Sequence, residues 1–80
     1  MIDEQEVWEK GHEIPNVNPD IWRKDDEGNI IRRDKRGSDD SDGWEVGHVT
    51  PKSKGGSDDI DNLRPLQSGA NAARGGRLSN

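Results

Sequence analysis

The only aromatic side chains in this chain are three tryptophans, Trp8, Trp22 and Trp44, with no Phe, Tyr or Cys beside them. Aromatic residues carry a large share of core energy, so any core has to gather around these few positions. Hydrophobic residues are 25% of the 80 and charged residues 36%, a balance that leans toward chains unable to pay for ordering themselves. A domain of this size buries only about 60% of the surface its unfolded chain exposes. The composition therefore predicts one small domain. Its expected core is Trp22, Trp44, Val46, Ile60, Leu63 and Leu66, with at least one frayed end.

The absence of cysteine excludes disulfides and cysteine-based zinc sites. Any metal must be held by His, Asn, Asp or Glu, which points to a hard catalytic ion. No apolar run approaches the ~20 residues of a membrane helix, and no signal-peptide pattern opens the chain. A soluble intracellular protein is expected. The net charge of −5 runs against nucleic-acid binding, but it is unevenly placed. Residues 1–40 hold seven Lys/Arg against twelve Asp/Glu, whereas residues 41–80 hold five of each. The acidic half can be a solubilising surface, can face away from DNA, or can reflect adaptation to high salt.

Along the chain, residues 1–20 read as an N-terminal extension, partly ordered. In it, 3–10 can form a turn or two of helix anchored by Val7 and Trp8, and 11–20 an extended loop. Residues 21–33 read as a hairpin turning at Gly28-Asn29. Residues 34–42 have no apolar side chain and read as a flexible solvated insertion. Residues 43–49 read as a strand with Trp44, Val46 and His48 on one face, Glu45 and Gly47 on the other. A polar loop follows over 50–61. Residues 62–66 read as a short strand that Pro65 confines to a sheet edge. Residues 67–74 read as a helix capped by Ser68 and ended by Gly75-Gly76, with a loose tail at 77–80.

The stretch GWEVGHVTPKSKGGSDDIDNLRPLQSGANAARGG resembles the HNH endonuclease motif. His48, Pro51, Gly55, Gly56, Asn62, Leu63, Asn71 and Arg74 fall at the matching places. The upstream Trp22-Arg23, Gly28 and Ile31-Arg32 also resemble small stand-alone bacterial and phage HNH proteins. The fold that this resemblance implies is α+β: a ββα-metal core over 43–76, inside a domain of 21–76, with a preceding β-hairpin. The activity it implies is hydrolysis of DNA phosphodiester bonds with one divalent ion. That ion is expected to be Mg²⁺, with Mn²⁺, Ni²⁺ or Zn²⁺ as alternatives. The location it implies is cytoplasmic, or the host cytoplasm for a phage protein. DNA is the expected partner, beside a protein partner as a second expectation, for a monomer or weak dimer without membrane contact.

The chemistry asks for each residue separately. Water has to become a nucleophile, and an imidazole, whose ordinary pKa lies near working pH, suits a general base; His48 is placed for it. By resemblance Asn71 is a metal ligand, and Asn62 ties the loop to the strand. Arg74, three positions after Asn71, shares its helix face and can grip phosphate. Lys52 and Lys54 are candidate phosphate contacts that give position rather than sequence readout. His12 reads as a surface residue, as do Arg32, Arg33 and Arg36. Asp58, Asp59 and Asp61 lack the spacing of a calcium loop and read as solvated.

One position departs from the pattern. The family's first metal ligand immediately precedes the histidine, and here that position is Gly47, which has no side-chain oxygen. The chain can be a catalytically impaired module that binds DNA or a protein without cutting. The position can have been changed deliberately to silence a toxic enzyme. Or another carboxylate can compensate, with Glu45 nearest on the same strand face. A further alternative is an interaction or inhibitor role in which the acidic first half mimics nucleic acid.

Overall fold

A computed structural model of the chain describes residues 2–69. The first element, α1 (Glu4–Trp8), starts where the Asp3 carboxylate accepts the N–H groups of Gln5 and Glu6 at 2.9 and 3.3 Å. Such a cap satisfies N–H groups that have no partner in the first turn. At five residues α1 is too short to persist alone. It is held by burying Val7 and Trp8 completely.

Strands β1 (Trp22–Lys24) and β2 (Ile30–Arg32) form an antiparallel hairpin with Arg23 opposite Ile31. The turn uses Gly28 at φ +84°, a conformation that glycine adopts without strain. Asp25 opens the turn and is almost wholly buried. It accepts from the backbone N–H of Glu27 (3.0 Å) and Asn29 (2.8 Å) and from the Asn29 side chain (3.2 Å).

The second hairpin pairs β3 (Trp44–His48) with β4 (Leu63–Gln67), antiparallel, from Trp44 opposite Gln67 to His48 opposite Leu63. Pro65 sits opposite Val46. Each sheet has two strands, so every strand is an edge and a proline is tolerated. Asp25 joins the hairpins, because its second oxygen accepts the Gln67 N–H at 2.9 Å.

Val7, Trp8, Ile31, Trp44, Val46 and Leu63 make one core, with Ile2 and Ile60 packed against it. The rings of Trp8 and Trp44 lie 5.3 Å apart, tilted by 49°. Each indole N–H is satisfied by a carbonyl: Trp8 by Pro19 at 2.9 Å and Trp44 by Arg33 at 3.2 Å. Trp22, expected in the core, is only half-buried. It lines a shallow apolar cavity of about 260 Å³ with Ile14, Val17 and Ile30. Strand alternation explains the exchange. Arg23 takes the inward position of β1, where its guanidinium donates to the carbonyls of Pro19, Glu9 and Gly11 at 3.0, 3.3 and 2.9 Å. A buried cation so fully partnered is tolerated, and Trp8 fills the core instead.

The segment 34–42, expected to be a flexible insertion, is organised. Lys35 Nζ reaches Asp40 at 2.6 Å and Asp42 at 3.8 Å. The N–H of Arg32 donates to Asp42, and that of Gly37 to Trp44, both at 2.9 Å.

The described fold is thus mixed α and β: one short helix and two antiparallel hairpins. Of the expected helix over 67–74, Gln67 instead closes β4 opposite Trp44, and residues 70–74, with Asn71 and Arg74 among them, lie outside the described residues. Among those described, no helix is long and apolar enough to cross a membrane.

Candidate active site

His48 ends β3 and is 6% exposed. It shares its strand face with the core residues Trp44 and Val46, as the period of two requires. Its Nε2 lies 2.7 Å from Asp58 Oδ1. The other Asp58 oxygen is 3.0 Å from Lys52 Nζ. The hydrogen bond with His48 and then that with Lys52 hold the Asp58 carboxyl below its ordinary value. His48 Nδ1 is buried and has no hydrogen-bond partner among the described residues.

The loop between the strands is shaped by Asn62 and two glycines. Asn62 accepts the Thr50 N–H at 2.8 Å and donates to Thr50 O at 3.0 Å and Ser57 O at 2.8 Å. Its carbonyl accepts from Val49 N–H at 2.9 Å, directly after His48. Gly55 has φ +88° and caps the short 3₁₀ turn Lys52–Lys54. Gly56 lies against the Thr50 carbonyl so closely that a Cβ would overlap it. Its N–H donates to Pro51 O at 2.9 Å. The loop thus returns to the strand end and sets Asp58 against the histidine ring.

Gly47 is buried between His48 and Val46 on β3 and borders a cavity of about 310 Å³. Asp26, Glu27, Arg64 and Leu66 also line this cavity. Glu45, the expected compensating carboxylate, points to Arg36 Nη1 at 3.5 Å. The carboxylates that do reach the Gly47 cavity come from the turn of the first hairpin. Strand alternation could not find them, because they arrive by packing of one hairpin on the other. Asp26 is engaged by His12 Nε2 at 2.7 Å and Arg64 Nε at 3.6 Å. His12, read as a surface residue, is exposed and yet paired. A backbone bridge between His12 and Lys24 sets it beside that turn.

Of the expected site residues, the structure brings His48, Asn62 and Lys52 together around one loop. Lys54 stands exposed on the same 3₁₀ turn. Asp58, read as solvated, is the residue that sequence reasoning missed. Its signal was faint: one of three acidic residues in a polar loop, ten positions after the histidine.

Among the described residues, no three His, Cys, Asp or Glu side chains converge closely enough to hold a metal ion. Gly47 brings no oxygen, Glu45 is turned away, and Nε2 of His48 is taken by Asp58. The described donors on their own do not fit a divalent ion, which usually wants one or two carboxylates with its waters.

Residues 30–68 match the family model described as HNH endonuclease. No curated protein and no solved structure matches the chain.

Proposed function

Because the chain belongs to the HNH endonuclease family through residues 30–68, we propose that it is an endonuclease that hydrolyses DNA phosphodiester bonds with His48 as general base. The observation that carries this reading is His48 itself. It lies inside the matched span, at a strand end, desolvated, with its ring fixed by a carboxylate and its strand end held by Asn62. Desolvation and a fixed orientation are what a proton acceptor needs in order to act at one atom.

In the reaction, His48 takes a proton from water as the water oxygen bonds to phosphorus. The bond to the leaving 3′ oxygen breaks, and that oxygen ends protonated. Asn62 is assigned as the organiser of the loop. Lys52 and Lys54, with Arg74, are assigned to the phosphate backbone. These contacts fix register without reading sequence.

HNH nucleases generally use a divalent ion. Mg²⁺ is the first candidate here, with Asn71 as the ligand that the family pattern proposes. The proposed domain is a ββα-metal core over 43–76, of which β3 and β4 are the two strands.

Gly47 favours a second reading: an impaired domain that binds DNA, or a protein partner, without cutting. Plasmid nicking by the wild type and by Gly47→Asp separates the two. Nicking by the wild type supports the enzyme. Nicking by Gly47→Asp alone supports a lesion at the position before His48. Binding without nicking by either supports the binding module.

A further inference from the structure

We propose that Asp58 is an autoinhibitory latch on the nuclease site: at rest its carboxylate covers Nε2 of His48, the one ring nitrogen that water can reach, and a DNA phosphate arriving on Lys52 draws it off. This rests on the nuclease reading above and adds to it a closed resting state that the substrate opens.

The two ring nitrogens are not equivalent. Nδ1 is buried, without a hydrogen-bond partner among the described residues, on the strand face that His48 shares with Trp44 and Val46. Neither an attacking water nor a phosphate reaches it there. Nε2 points toward the polar loop, so it is the nitrogen that has to receive a proton. In the structure it is taken, with Asp58 Oδ1 at 2.7 Å.

An ionised carboxylate only accepts hydrogen bonds. Asp58 is kept ionised, since His48 first and Lys52 next hold its carboxyl below the ordinary range. Nε2 must then carry a hydrogen, whether the ring is neutral or charged. A nitrogen that carries a hydrogen cannot take another. The contact that orients the ring at rest also stops it from acting as a base.

The same geometry lets the latch open. The Asp58 side chain is 47% exposed. Its second oxygen rests on Lys52 Nζ at 3.0 Å, the ammonium assigned above to the DNA backbone. A phosphate on Lys52 takes that hold away, and it repels the carboxylate, since like charges so close are unfavourable. Rotation of one half-exposed side chain then clears Nε2. The bonds that close the loop, from Asn62 to Thr50 and to Ser57 O, run through other groups and stay made. From the charged ring the Nε2 hydrogen passes to solvent, and a neutral ring with a bare Nε2 meets the attacking water.

A substrate that has to open the latch binds more weakly, by the fraction of molecules already open. Plasmid nicking by the full chain at sub-saturating DNA reads this. Asp58→Ala removes the cover and should raise kcat/KM about 10-fold or more, the order expected for one charge-assisted hydrogen bond. The gain should vanish when His48→Ala is added. Asp58→Asn can still lay an uncharged amide on Nε2 and should fall between wild type and Asp58→Ala. A merely structural role for Asp58 predicts the opposite sign, because loss of a support slows the reaction.

The cover is also measured without DNA. Diethyl pyrocarbonate attacks a bare imidazole nitrogen, and the chain has two histidines. By mass spectrometry His48 should be modified several-fold faster in Asp58→Ala than in the wild type, with His12 as the internal reference. Nicking by Asp58→Ala equal to or slower than that of the wild type would overturn the latch. If wild type, Asp58→Ala and Asp58→Asn all fail to nick, the nuclease reading fails. The modification rates still decide the contact, and an unchanged His48 rate shows that Asp58 does not cover Nε2.

Discussion

Asn62 and Thr50 close a two-way hydrogen-bonded pair across the loop, with Asn62 Oδ1 accepting from Thr50 N–H at 2.8 Å and Nδ2 donating back to Thr50 O at 3.0 Å. Twelve residues separate them in sequence, and between them lie both glycines, Lys52 and Asp58. The contact between Asp58 and His48 depends on this closure. A side chain that mimics a strand partner here does what further backbone pairing would do in a longer sheet.

Asn62→Ala removes three side-chain hydrogen bonds at once. Each is worth about 0.5–1.5 kcal/mol net. We expect a loss of about 2 kcal/mol, which at this size lowers Tm by roughly 8–16 °C. Asn62→Asp keeps the acceptor but sets a carboxylate oxygen against the Thr50 and Ser57 carbonyls, so it should melt no higher than Asn62→Ala. Thermal denaturation followed by circular dichroism checks the order.

The two glycines of the loop should respond differently to alanine. At Gly55 the cost is conformational, since a Cβ at φ +88° is strained by about 1–2 kcal/mol and nothing lies in its way. At Gly56 the added carbon meets the Thr50 carbonyl, so the backbone must move and the Asn62 closure with it. Gly56→Ala should therefore be the more damaging by denaturant titration. Equal effects would contradict the loop geometry.

Asp25 is buried and accepts four hydrogen bonds, one of them from Gln67 on the other hairpin. Asp25→Ala strands those donors. A buried unsatisfied group costs about 1–3 kcal/mol, so a loss of about 3 kcal/mol or more is expected. Hydrogen exchange at the Gln67 amide should quicken beyond what the global loss accounts for. An unchanged Gln67 amide would show that the two hairpins do not depend on this carboxylate.

The sign of one pH effect follows from Asp58. Its carboxyl lies below the ordinary 3.8 when folded. Protonation is therefore harder in the folded state, and the contact contributes stability above the unfolded value. That contribution fades as pH falls through the lower folded value. Below about pH 4 the wild type should lose stability more steeply than Asp58→Asn. Urea titrations of both proteins at pH 7 and pH 3 check this.

Much of the site was legible in the sequence, and the limits have physical causes. His48, Asn62 and the glycine pair are read by residue type and interval, because their chemistry is local: a strand end, a loop closure, a positive φ. The hairpin at Gly28-Asn29 is local in the same way. Trp22 and Asp58 were misread for a common reason. Alternation and composition describe one strand or loop at a time. Whether Arg23 or Trp22 turns inward depends on carbonyls at Glu9, Gly11 and Pro19. Which aspartate meets the histidine depends on how the loop closes. The loop at 34–42 looked mobile because it lacks apolar side chains, yet Lys35 and backbone bonds hold it.

The central claim is that this chain cuts DNA with His48. Its most direct test is supercoiled-plasmid nicking by the purified chain with Mg²⁺ or Mn²⁺, beside His48→Ala and a chelator control. The account predicts nicked circles from the wild type and their loss with His48→Ala or chelator. Binding of the plasmid without nicking under either metal, or nicking that survives His48→Ala, would contradict it.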